Sequence, residues 1–198
     1  MKLRSIAILL GCAVVSAAAY AQAGAYAMFD AQQFHRSGLL ASPAAGSSNS
    51  DSPWLYGTTF GAFYTIHKLP LVGKLRTGPV AVALDGRGTI VRTDTQYSRD
   101  DAIISLRLSP KSTYRIFTPY VQGGAGLGHT KVPGQAEYYT NNWSYLFAVG
   151  ADRKLTKRLD WRVVEVSGGF MGNYVAGSAT SNSNRILNFA TGIVLRIP

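Results

Sequence analysis

Residues able to do chemistry are few in this chain. It has three histidines, His35, His67 and His129. No carboxylate stands at a motif-like spacing from His129, and no His/Cys/Asp cluster has the spacing of a metal site. The expected catalytic set is therefore empty, and neither metal nor cofactor is implied. The stretch YVQGGAGLGHTK, residues 120–131, invites a phosphate-loop reading because four glycines fall within six residues. That reading fails, since no Gly-Lys-Ser/Thr follows and no helical pattern comes after. Four charges remain, set among small residues in otherwise apolar segments: Asp85, Arg87, Arg107 and Glu165.

The segments that carry these residues alternate with period two. In WLYGTTFGAFYTI (residues 54–66), Trp54, Tyr56, Phe60, Tyr64 and Ile66 share one face, and Gly57, Thr59, Gly61 and Thr65 share the other. Val80, Val82, Leu84 and Ile90 alternate with Ala81, Ala83, Asp85, Arg87 and Thr89. Ala102–Leu108, Trp143–Val149 and Leu187–Ile197 repeat the scheme, with Arg107 on the small-residue face of the first. Residues 160–171 can be phased with Arg162, Val164, Val166 and Phe170 on the apolar face and Glu165 and Ser167 opposite. Ala25–Phe34 alternates weakly. The prolines fall between or at the starts of these segments, as strands require. With the glycine stretch the count is eight strands, no internal linker and one domain.

Alternation does not say which face meets water. Three features favour lipid outside. Trp54, Tyr56, Tyr64, Tyr120, Trp143, Tyr145 and Trp161 stand near strand ends, where an aromatic girdle would lie. The opposite face is built of Gly, Ala, Ser and Thr, which suits the narrow interior of an eight-stranded barrel. The strands are also long enough to cross a bilayer at a tilt, about 9–11 residues being needed. The lumen then holds Asp85, Arg87, Arg107 and Glu165 as a paired network that plugs it. Gly124, Gly126 and Gly128 form a row along the lumen that leaves room for those long side chains.

The 198-residue chain carries 20 Lys and Arg against 10 Asp and Glu. Its start, MKLR followed by the apolar run Ile6–Val15 and AAAYAQA, reads as a leader spanning residues 1–23, cut after Ala21 or Ala23. An uncleaved anchor and lipidation at Cys12 are the other readings. The apolar core is short for the first and continues past the cysteine, against the second. Removing the leader removes the chain's single cysteine, so no disulfide holds the mature protein. Basic clusters at 68–76, 111–115 and 153–158 could suggest nucleic acid, but export and the lack of any binding motif argue against it. They read as a solvated rim. Residues 41–52, ASPAAGSSNSDS, read as a surface loop.

TPYVQGGAGLG, DWRVVEV and the closing ATGIVLRIP resemble segments of small bacterial outer-membrane β-barrels of the OmpA transmembrane-domain, OmpX and porin-like kind. The resemblance spans residues 24–198 and implies an all-β, eight-stranded antiparallel up-and-down transmembrane barrel. It further implies both termini in the periplasm, partners in outer-membrane lipid and the barrel-insertion machinery, and loops free to meet external ligands. Such proteins often end in an aromatic residue read by that machinery, whereas this chain ends Arg196-Ile197-Pro198. The expected role is structural, adhesive or surface-interacting rather than enzymatic. A narrow channel and a soluble lipid-binding barrel are the alternatives.

Overall fold

The computed structural model describes residues 23–35, 54–69, 79–92, 98–110, 116–131, 142–173 and 182–197. The expected leader up to residue 22, Cys12, the 41–52 loop and the basic residues Lys74, Arg76, Lys111 and Arg115 lie outside them. Ala23, one of the two expected cleavage points, is the first residue of a strand.

The alternating segments form β1 (Ala23–His35), β2 (Trp54–Leu69), β3 (Val80–Arg92), β4 (Ser98–Pro110), β5 (Phe117–Lys131), β6 (Asn142–Lys154), β7 (Leu159–Asn173) and β8 (Asn182–Ile197). Each pairs antiparallel with its sequence neighbours, and β8 returns to β1 to close a barrel. Closure matters physically. In hydrocarbon an unpaired strand edge has no water to bond, so only a ring satisfies every backbone group. Ala23 opposes Ile197, so the start of β1 and the end of β8 lie at one end of the barrel, the end at which β2, β4 and β6 finish. We call this the terminal end and the other the far end. At the β6–β7 turn the Leu155 and Thr156 N–H groups donate to the Leu159 carbonyl, and Thr156 Oγ1 accepts from the Arg158 and Leu159 N–H groups.

Side chains are sorted inside out relative to a water-soluble protein. Ile104, Trp143 and Phe147 point outward at 65%, 63% and 62% exposure, while Asp85, Arg162 and Glu165 are wholly buried. An apolar exterior around a charged interior is the arrangement of a barrel whose outer solvent is lipid. Trp54, Tyr56, Trp143 and Tyr145 project outward toward the far end. Tyr64 and Trp161 project outward toward the terminal end, with the Trp161 Nε1–H donating to Thr191 Oγ1. Tyr120 departs from the expected girdle. It lies inside at 2% exposure, because alternation from Gln122 and Gly124 turns its side chain to the lumen.

Two β-bulges interrupt the alternation. In β7 two residues, Val163 and Val164, occupy the space opposite Thr191, so the register jumps from Arg162↔Gly192 to Glu165↔Ala190. Arg162 and Glu165, three residues apart, consequently both face inward. This corrects the phasing of residues 160–171, which set Arg162 on the apolar face. In β2 the register skips Ile66, passing from Thr65↔Ala83 to His67↔Val82. Lys68 thereby comes to lie opposite Ala81.

Candidate functional site

The lumen is the site these strands build. Asp85 and Arg87 come from β3, Arg107 from β4, Tyr120 and Gln122 from β5, Asp152 from β6, Arg162 and Glu165 from β7 and Tyr26 from β1. Strands β3 and β7 stand opposite each other in the ring. Arg87 therefore spans the lumen to reach Glu165, Nη1 to Oε1 at 2.6 Å and Nη2 to Oε2 at 3.3 Å. The same carboxylate accepts the Tyr120 hydroxyl at 2.5 Å and Arg162 Nη1 at 3.4 Å. Asp152 holds two arginines, accepting from Arg162 Nε at 2.9 Å and from Arg107 Nη2 at 2.6 Å. Asp85 Oδ1 accepts from the Tyr26 hydroxyl and from Gln122 Nε2, both at 2.9 Å.

Aromatic rings close the gaps between these charges. The Arg107 guanidinium lies 3.7 Å from the Tyr120 ring centroid and 4.7 Å from that of Phe63. Arg162 lies 4.4 Å from Tyr26 and 4.8 Å from Tyr120. A cation over a ring face, screened from water, is attracted by the ring quadrupole. Toward the far end, Asn188 Nδ2 donates to Asp30 Oδ1 at 2.7 Å, and Arg99 pairs with Asp101. A gap of about 10 Å³, room for roughly one water, lies among Gln32, Arg87, Arg99, Asp101, Ser167 and Asn188 in this half.

Asp85, Arg87 and Glu165 are thus gathered into one cluster, with Arg107 joined to it through Asp152 and Arg162. Sequence reasoning left out Tyr26, Asp30, Arg99, Asp101, Asp152, Asp160 and Arg162, all buried. Asp152 was open to discovery, since it shares the even-numbered face of Ser144, Ala148 and Gly150. Gly124, Gly126 and Gly128 do not serve as clearance for the charged chains. A Cβ on Gly124 or Gly126 would collide with the β4 backbone at Ile104, Ser105, Ala102 and Ile103, and one on Gly128 would meet the Met171 methyl. The first two allow close approach of β5 to β4. Clearance for large inward side chains comes from Gly61, which accommodates the Tyr26 hydroxyl, and from Gly150, which accommodates that of Tyr120.

Of the histidines, His67 is exposed and His129 stands directly across from Asp100 in the β4–β5 register. That carboxylate is held by Arg92, from Nη1 at 2.5 Å and Nη2 at 3.1 Å. The His35 side chain lies outside the described residues. Among the described residues no group of three or more His, Cys, Asp or Glu comes together as a metal site.

No protein-family model matches the chain, and no curated protein sequence matches it. Solved structures do resemble it. Neisserial surface protein A (NspA) superposes with a TM-score of 0.58 at 14% identity, over 87% of this chain and 97% of its own. The attachment invasion locus protein Ail of Yersinia pestis gives 0.49 at 9% identity, over 89% and 98%. The outer membrane enzyme PagL gives 0.45 at 11% identity, over 86% and 99%. At such identities the likeness concerns the fold, and it rests on NspA. A closed ring of eight antiparallel strands, apolar without and charged within, has the fold of the small bacterial outer-membrane β-barrels.

Proposed function

We propose that this chain is exported through a cleaved leader and resides in the outer membrane of a Gram-negative-type bacterium. There it serves as a closed, non-enzymatic barrel with a structural, adhesive or surface-interaction role. The observation that carries this reading is the Arg87–Glu165 pair across the lumen, locked by Tyr120 and Arg162. An eight-stranded barrel has an interior barely wide enough for side chains, and here the middle is occupied by charges that neutralise one another. Lipid contacts the outward apolar belt, the insertion machinery delivers the chain, and the far-end connections are where an external ligand would be met. The Neisserial protein of like fold is by name a surface protein, which accords with this role. A soluble lipid carrier needs an apolar interior and a wet exterior, the reverse of the sorting found here.

Planar-bilayer recording tests the closed lumen, with a heat-dependent gel shift as the check on folding. Folded protein is expected to give no stable open-channel current. Sustained ohmic steps from heat-modifiable protein would overturn the plug and favour the narrow-channel alternative. Fractionation tests location: the chain should resist carbonate extraction and sediment with outer membranes.

A further inference from the structure

The terminal end of the lumen differs from the middle in its charge balance. A cavity of about 260 Å³ lies there, lined by Lys68, Arg107, Lys154, Lys157 and Arg196, with Asp160 as the one acidic wall residue among the described residues. Asp160 is already engaged by Arg196. Among the described residues no carboxylate pairs with Lys68, Lys154 or Lys157. Arg107 gives Nη2 to Asp152 while its buried Nη1 finds no hydrogen-bond partner among the described residues. Hydroxyls of Thr65, Ser109 and Thr118 complete the wall. The placement of Lys68 is built in, because the Ile66 bulge sets it opposite Ala81, another residue of the same wall.

We infer that this vestibule is a binding site for a phosphate-class oxoanion carrying two or more negative charges. Several cations converge on one small space with no acid among the described residues left to neutralise them, and such a charge excess concentrates anions. Lysine ammonium groups suit phosphate as point charges, and an arginine with one free nitrogen adds a directed donor. A single carboxylate would leave most of these cations uncompensated. The phosphate can come from a free anion in the surrounding solution or from a lipid headgroup at the membrane edge. The site shares Arg107 with the plug, but Lys68, Lys154 and Lys157 lie outside that network, so closure of the lumen and anion binding can fail separately.

The experiment uses full-length folded protein, with the gel shift confirming each variant. In one arm, protein in zwitterionic detergent is titrated with inorganic pyrophosphate by calorimetry, and phosphorus NMR follows the anion. In the other, protein in phosphatidylcholine nanodiscs is compared with discs containing cardiolipin, whose headgroup carries two charged phosphates, following headgroup phosphorus relaxation. Saturable binding in either arm, weakened at least ten-fold in Lys68→Met/Lys154→Met and restored in Lys68→Arg/Lys154→Arg, supports the site, and the arm that responds names the source. Lack of binding in both arms overturns it, as does binding that the methionine variant leaves unchanged.

Discussion

Glu165 shows how much of the barrel hangs on single side chains. Its carboxylate accepts two hydrogen bonds from Arg87 and one each from Tyr120 and Arg162. Glu165→Gln keeps the volume and removes the charge, leaving buried Arg87 without its bidentate partner and Arg162 with Asp152 alone. Breaking a buried pair in this way costs about 3–5 kcal/mol, whereas removing both partners is far milder. The urea midpoint of the protein in lipid vesicles should therefore fall sharply for Glu165→Gln and less for Arg87→Met/Glu165→Leu. Equal midpoints for the single variant and the parent would refute the network's role. Packing makes a second, independent demand. A Cβ on Gly61 would lie 2.5 Å from the Gly86 carbonyl and 2.6 Å from the Tyr26 hydroxyl, while one on Gly86 meets nothing within 4 Å. Gly61→Ala should lose about 1–3 kcal/mol from overpacking, and Gly86→Ala should stay within roughly 0.5 kcal/mol of the parent. Sequence alternation marked Gly61 as inward, yet nothing in one strand's sequence says that a tyrosine from β1 will need its space.

At the level of elements, the β7 bulge decides which charges enter the lumen. Paired without a bulge, the same residues would alternate strictly back from Glu165, and Asp160 and Arg162 would turn toward lipid while Trp161 turned inward. Deleting Val163 has a different result, because Arg162, Val164 and Glu165 then alternate in, out, in without a bulge. The deletion variant is therefore expected to keep the Arg162 contacts to Asp152 and Glu165 and the heat-dependent gel shift. Loss of the shift would show that the extra residue is itself required for the barrel to form. The same element explains what could and could not be read from the chain. Strand number, pairing order and the faces of β3, β4 and β8, and of β2 up to its bulge, follow from alternation, so Asp85, Arg87 and Arg107 could be named in advance. Arg162 could not, because period-two reading fails across a bulge whose cause is pairing with β8 and β6. Arg99 and Asp101 were lost differently: their polar surroundings resemble a loop, although β4 begins at Ser98. Tyr120 was misplaced because tyrosine near a strand end fits a girdle as well as a lumen, and only its phase decides.

The whole molecule sorts charge by location. Six acidic residues, Asp30, Asp85, Asp101, Asp152, Asp160 and Glu165, are buried among four arginines, 87, 99, 107 and 162. The chain has only 10 acids against 20 basic residues, so the surfaces beyond the lumen are left strongly basic. Between those polar surfaces runs the outward belt of Phe60, Ile104, Leu106, Phe147, Phe170, Phe189 and Ile193, each more than a third exposed. If lipid is the solvent of that belt, the cost of a charge must depend on height along the barrel rather than on exposure. Ile104 and Trp143 are almost equally exposed, at 65% and 63%. Ile104 stands midway along β4, however, and Trp143 at the far-end start of β6. In water the two arginine substitutions would be alike. In a bilayer Ile104→Arg should cost about 2–4 kcal/mol and Trp143→Arg about 0–1 kcal/mol from the charge, since the penalty fades toward the interface. Loss of the tryptophan's contacts can only narrow that difference, so a clear gap between the two urea midpoints in vesicles is the informative result. With Ile104→Ala and Trp143→Ala subtracting the lost contacts, an equal cost of the two charges, or a greater one at Trp143, would contradict a membrane-spanning belt. A substantially lower midpoint for Ile104→Arg would mark mid-barrel β4 as buried in hydrocarbon, despite its bare surface.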